Sequence, residues 1–180
     1  MRETLTRILN HVDLDKISVT EKAGELDRSK LKKKMSLQAK WNTDPAKKYQ
    51  LEAELSFEGG KQIVEIDSPS YLGGNGSRPG PIALCMAGMA SCFLTTLASV
   101  AAKEAVEFEK LSIIAECSVN FAKALDIADE PIIENIEFRV DASAKNTDRS
   151  TLVKLISMAE ERCPAVYTAT HTVSVITKLV

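Results

Sequence analysis

Four cysteines, Cys85, Cys92, Cys117 and Cys163, are the residues of this 180-residue chain best suited to do chemistry. Thiols serve as metal ligands, as structural cross-links or as redox nucleophiles. A zinc site needs clustered ligands, usually paired at short spacing. The chain has no Cys-x-x-Cys pair, and its only histidines are His11 and His171, so no metal is expected. Cys85 and Cys92 stand two helical turns apart, about 10 Å of rise, too far to bridge each other. The commonest fate of a free thiol is that of a small buried hydrophobe. That reading suits Cys85 and Cys117, each inside an apolar run. Cys92, in Ala90-Ser91-Cys92-Phe93, looks inert by itself. Cys163 differs, because it lies beside Pro164 at a helix end where a thiol is approachable. If the two helices pack together, Cys92 and Cys163 meet as nucleophile and resolver.

The helix that carries Cys92 spans residues 81–102 without a charge, long enough to cross a membrane. Ala, Gly, Ser, Thr and Cys make up more than half of it, and no second span accompanies it. It therefore reads as the buried helix of a soluble protein, with a second subunit needed to cover every side. Residues 1–34 read as a helical N-terminal extension, with Leu5, Ile8, Leu9 and Val12 at helical spacing. The run from Lys30 to Lys34 reads as a solvated helix end.

From residue 35 the apolar period becomes two. Residues 35–41, 49–57 and 61–66 form three strands, separated by turns at 42–45 and 58–60. The Gly-, Pro- and Ser-rich stretch 67–81 reads as a connecting loop, because its spacing matches no phosphate cradle. Strands follow at 111–121 and 132–142, the second with imperfect alternation. A helix at 151–163, capped by Thr147 or Asp148, ends at Cys163-Pro164, and residues 171–180 form a closing strand. The order βββ-α-ββ-α-β is an α+β domain over residues 35–180. His171 reads as a surface or sheet residue, and Glu160 and Glu161 as a solvated helix face. Tyr167 lines the site or fills the core, and the sequence does not separate these.

Composition narrows the function. Hydrophobic residues at 44% suffice for a core, which excludes wholesale disorder. A formal charge of −2 and 5% aromatics argue against a nucleic-acid binder. Charges interrupt the first residues, so no secretory signal is read there and a cytoplasmic location is expected.

Three features together resemble the OsmC/Ohr family of thiol-dependent peroxidases over residues 35–180. They are the loop from Gly73 through Gly74-Asn75-Gly76-Ser77-Arg78-Pro79-Gly80 to Pro81, the helix signature ending Ser91-Cys92-Phe93, and Cys163-Pro164-Ala165-Val166-Tyr167 before a closing strand. The resemblance implies an OsmC-like fold: an intertwined homodimer with two long central helices enclosed by antiparallel sheets. It also implies that Cys92 is the peroxidatic nucleophile and Cys163 the resolving thiol. The substrate would be an organic hydroperoxide and the reductant an external dithiol, with no metal, haem or flavin cofactor. The family's well-known peroxidases pair a hairpin arginine with a glutamate ahead of the nucleophile. Here Ile82 stands at the glutamate position, and residues 35–61 hold Lys40, Lys47, Lys48 and Lys61 but no arginine. Arg78 is the nearest replacement cation in the sequence. This marks a divergent OsmC-like branch. It leaves two other readings open: a non-catalytic protein that binds small apolar ligands, or a redox sensor built on the same two cysteines.

Overall fold

The computed structural model describes residues 6–145 and 147–179, so Leu5 and Val180 lie outside the described residues. The chain forms two compact units, residues 23–85 and residues 1–22 with 86–180.

The unit of residues 23–85 is built on a three-stranded antiparallel meander, β3 (Gln38–Trp41), β4 (Leu51–Phe57) and β5 (Gly60–Ile66). Its register runs from Leu51 opposite Ile66 to Phe57 opposite Gly60, closed by the expected Glu58-Gly59 turn. Ala53 and Ile66 are buried, whereas Leu55, Phe57 and Ile63 remain exposed.

The loop that follows is more ordered than its composition suggests. It winds around the fully buried Asp67. One carboxylate oxygen accepts hydrogen bonds from the Asn75 amide (3.0 Å), the Ser77 amide (2.9 Å) and the Ser77 hydroxyl (3.0 Å). Gly74 is required by close approach, because a Cβ there would lie 1.9 Å from the Ser68 carbonyl oxygen. The Ser77 amide, the largest influence, holds the Asp67 carboxyl below the usual carboxylate range. A depressed folded-state pKa contributes stability above the unfolded value, near about 3.9, and loses it as pH falls through the folded value. Asp67→Asn lacks that titration. Urea unfolding should therefore show wild type ahead of the variant at pH 6, with the gap closing below about pH 4. A gap that widens in acid would contradict the assignment.

The other unit begins with a hairpin where a helix was expected. Ile8–Leu9 (β1) pairs with Val12–Asp13 (β2), because Asn10 and His11 turn the chain at φ 52° and 61°. The Asn10 side chain then substitutes for a strand neighbour. Its amide donates to the Val106 carbonyl (2.8 Å), and its oxygen accepts from the Phe108 amide (2.9 Å). Helix α1 (Leu14–Leu26) starts only here, with Asp13 accepting from the amides of Asp15 and Lys16.

Helix α2 (Pro81–Lys103) is long and apolar enough to cross a membrane by length and composition. Phe93, Leu97, Val100, Ala101 and Ala102 bury its C-terminal half. Its first half is largely exposed, including Ile82 and Cys85, so Cys85 is not the buried hydrophobe expected from its neighbours. Among the described residues this half is left largely uncovered, although its all-round apolarity calls for cover.

Strands β6 (Phe108–Val119) and β7 (Ile133–Ala144) form a long antiparallel ribbon. Leu111, Ile113, Phe138 and Val140 turn one face of it toward the core. Helix α3 (Arg149–Arg162) is capped by Asp148, whose side chain accepts from the Thr151 amide. Pro164 ends α3 and starts α4 (Pro164–Thr170), a helix missing from the sequence expectation. The closing strand does not form: residues 172–179 carry no regular structure, and Val173, Val175, Ile176 and Leu179 are exposed. Their alternation suits a strand, but among the described residues no strand pairs with them.

Candidate functional site

Leu155 and Ala159 of α3 pack with Phe93, Leu97, Val100 and Ala101 of α2 in one apolar cluster. This packing sets the spacing of the two expected site cysteines. Cys163 occupies the joint between α3 and α4 and is fully buried; Cys92, on α2, is half-buried. Their sulfurs lie 3.6 Å apart, with the Cys163 thiol donating toward Cys92. A disulfide is about 2.05 Å, so roughly 1.5 Å of side-chain movement separates contact from a bond. Both thiols are free.

The joint matters because it breaks the helix beside the sulfur. Pro164 supplies no N–H, and the Cys163 carbonyl accepts the first bond of α4 from Tyr167 (2.9 Å). The Thr96 hydroxyl bonds back to the Cys92 carbonyl (2.9 Å) on the helix itself.

Burial pushes the Cys92 thiol up from its ordinary pKa; the Ala165 amide draws it down, and the neighbouring Cys163 raises it further. The result is a thiol with little thiolate at neutral pH. Alkylation of Cys92 by iodoacetamide should therefore climb about tenfold per pH unit from pH 7 to 9, without a plateau. A plateau below pH 8 would contradict that direction.

Three of the sequence candidates for a helping cation have partners of their own. The Arg78 guanidinium meets Glu65 at 2.6 Å and donates to the Ser77 carbonyl. Lys47 donates to the Tyr49 hydroxyl, and Lys61 pairs with Glu54 at 2.5 Å.

A cavity of about 610 Å³ lies in the same unit as the sulfurs. Met89, Ile133, Ile136, Phe138, Val166 and Ala169 give it an apolar lining, and Glu134, Asn135, Glu160 and Thr170 contribute polar groups. Neither cysteine lines it, but Phe138 and Val166 pack against the cluster that contains Cys163. These lining residues went unread in the sequence. The signal was the imperfect alternation of β7, which the register explains. Ile133 faces Val119 and Asn135 faces Ser118, leaving Glu134 as an extra residue in a bulge. His171 is exposed, as expected, and stacks on Tyr167 with ring centroids 4.1 Å apart.

The chain is an α+β scaffold with antiparallel sheets, with the Cys92 thiol midway along a long apolar helix and the Cys163 thiol at a helix joint. Comparison with known sequences places it further: residues 74–178 match the OsmC-like protein family, and the chain belongs to that family. Solved structures agree on the fold. An OsmC-like protein from Mycoplasma pneumoniae is 21% identical with a TM-score of 0.58, covering 76% of this chain and 87% of that one. An organic hydroperoxide resistance protein from Legionella pneumophila is 21% identical with a TM-score of 0.54, covering 77% and 92%. An OsmC-like protein of unknown function from Vibrio cholerae is 17% identical with a TM-score of 0.58, covering 76% and 94%. No curated protein matches the chain. Membership in this soluble family accounts for α2 as a packing helix, not a membrane span.

Proposed function

We propose that the protein reduces organic hydroperoxides, with Cys92 as nucleophile and Cys163 as resolving thiol. The observation that carries this reading is the 3.6 Å approach of two free sulfurs from different elements, one half-exposed and one buried. The Cys92 thiolate attacks the terminal peroxide oxygen and breaks the O–O bond. The alkoxide takes a proton and leaves as the alcohol, and Cys92 becomes a sulfenic acid. The Cys163 sulfur then displaces hydroxide from that acid, forming the disulfide and releasing water once the thiol proton is counted. An external dithiol returns both sulfurs to thiols and becomes a disulfide itself. The apolar groups around the pair favour a carbon-bearing peroxide over hydrogen peroxide, because its tail gains by burial.

The same reading takes the protein as a cytoplasmic homodimer, with residues 1–34 as an extension to the family domain. Support for a second subunit comes from the exposed first half of α2 and from the unpaired, alternating residues 172–179. Legionella pneumophila and Elizabethkingia anophelis proteins of this fold are described as organic hydroperoxide resistance proteins.

The upward shift of the Cys92 thiol, with Ile82 in the first turn of α2, favours one other reading: a protein that holds apolar ligands without turnover. Titration of the reduced protein with cumene hydroperoxide separates the two. One equivalent of peroxide should consume two thiols and yield a Cys92–Cys163 disulfide, located by peptide mass spectrometry. Thiols that persist in excess peroxide would end the peroxidase reading.

A further inference from the structure

The cations of this chain are unevenly placed. Residues 28–43 hold six of them, Arg28, Lys30, Lys32, Lys33, Lys34 and Lys40, and no acid, in a chain of net charge −2. Arg28–Leu31 form a single 3₁₀ turn, capped by Asp27, whose carboxylate accepts from the Ser29 amide (3.0 Å). Residues 32–37 then run without regular structure to β3, and every residue from 25 to 41 is exposed. Among the described residues none of the first five cations forms an ion pair, whereas Lys16, Lys61, Lys103, Lys110, Lys123 and Lys145 all do. Two acids stand just ahead of the run: Glu25 in the last turn of α1, and Asp27, which is committed to the cap. With both counted, residues 25–34 still carry five cations against two acids.

Apolar side chains stand among these charges. Leu26 is 86% exposed and Met35 93%, one on each side of the basic run, with Leu31 half exposed between them. That mixture discriminates between the surfaces that could take it. A polyanion such as RNA pairs with the cations but gains nothing from a leucine or a methionine. A lipid surface meets both: its headgroup phosphates draw the cations, and the aliphatic side chains enter the boundary between headgroups and acyl chains. A second copy of this chain suits the segment less well, because covering it would bury five charged heads at a cost in desolvation.

We propose that residues 26–35 dock the protein reversibly on membrane surfaces rich in anionic lipid. Arg28, Lys30, Lys32, Lys33 and Lys34 supply the electrostatic attraction, and Leu26 and Met35 the shallow insertion. The docking is peripheral: it uses the exposed stretch ahead of β3 and not the apolar helix α2. It does not depend on turnover at Cys92.

Sedimentation of the full reduced chain with lipid vesicles tests the docking. Each basic residue held at an anionic surface is worth about fivefold in partition. Vesicles of phosphatidylcholine with about a third phosphatidylglycerol should therefore bind the chain at least about a hundredfold more tightly than phosphatidylcholine alone, and less so as salt is raised. Lys32→Gln, Lys33→Gln and Lys34→Gln together should lower that partition about a hundredfold. A control triple, Arg149→Gln, Lys154→Gln and Lys178→Gln, makes the same change in net charge on the other unit and should lower it less than about threefold. Leu26→Ser with Met35→Ser should cost about tenfold on vesicles and leave the weak attraction to single-stranded RNA unchanged. The wild-type preference for anionic over neutral lipid is read without any variant, so a misfolded variant does not spare the proposal. Equal binding to neutral and anionic vesicles, as insertion of α2 would give, would overturn it, and so would equal losses in the two triples. RNA bound as tightly as the anionic vesicles, with no cost from the Leu26 and Met35 changes, would assign the segment to a polyanion instead. Failure to bind either vesicle, with the segment covered by a second copy, would end the proposal as well.

Discussion

Cys92→Ser should abolish the consumption of cumene hydroperoxide, lowering kcat/KM at least about a thousandfold, because a serine hydroxyl carries almost no anion at neutral pH and cannot form a sulfenic acid. Cys163→Ser should behave differently. Its first turnover should proceed at a rate close to wild type, since Cys92 still makes the attack. With the partner sulfur gone from its 3.6 Å position, the sulfenic acid has no resolving thiol. Excess peroxide then drives Cys92 to sulfinic acid, read as a gain of two oxygens by mass spectrometry. Equal losses in the two variants at the first turnover would contradict the division of roles.

Phe93→Ala carries the largest stability cost among the residues beside the site. The side chain is 1% exposed, its ring 5.4 Å from that of Phe138 at a tilt of 54°. Removing it deletes a tilted aromatic pair and leaves a cavity in the cluster that holds Cys163. The expected loss is about 3–5 kcal/mol, measured from the urea midpoint at constant m-value. Ile114→Ala, on a strand position 58% exposed, should cost under about 1 kcal/mol. A Phe93→Ala loss as small as that of Ile114→Ala would show that the cluster collapses freely around the gap.

What the sequence made legible divides along a physical line. Elements with a sustained local pattern were readable: the β3–β5 meander, α2, the β6–β7 ribbon and α3 all occur near their expected positions. The Asp148 cap was readable because a side-chain acceptor before an amphipathic run has one common use. Elements decided by distant partners were not. The turn at Asn10 depends on Val106 and Phe108, nearly one hundred residues away. Residues 172–179 have a strand's alternation but no partner strand among the described residues, and pattern alone does not supply one. Within the candidate site, Cys163 stood out by the proline beside it, whereas Cys92 looked inert by itself and entered through the expected packing of the two helices and the family resemblance. The cavity did not stand out, because a single extra residue in β7 changes which side chains face it, and register is invisible to composition. Asp67 was hidden for a related reason: a buried carboxylate in a glycine-rich loop resembles any other loop aspartate until its amide donors are placed.

The short gap between the sulfurs also bears on how tightly the chain is tethered. Cys92 and Cys163 are separated by 71 positions, so a bond across the gap would fasten a large loop that includes the whole β6–β7 ribbon and α3. Chain-entropy arguments assign such a clasp about 4 kcal/mol, gained by restricting the unfolded ensemble. The disulfide form would then be the sturdier of the two, and each visit by a reductant would loosen the molecule as it restores the nucleophile.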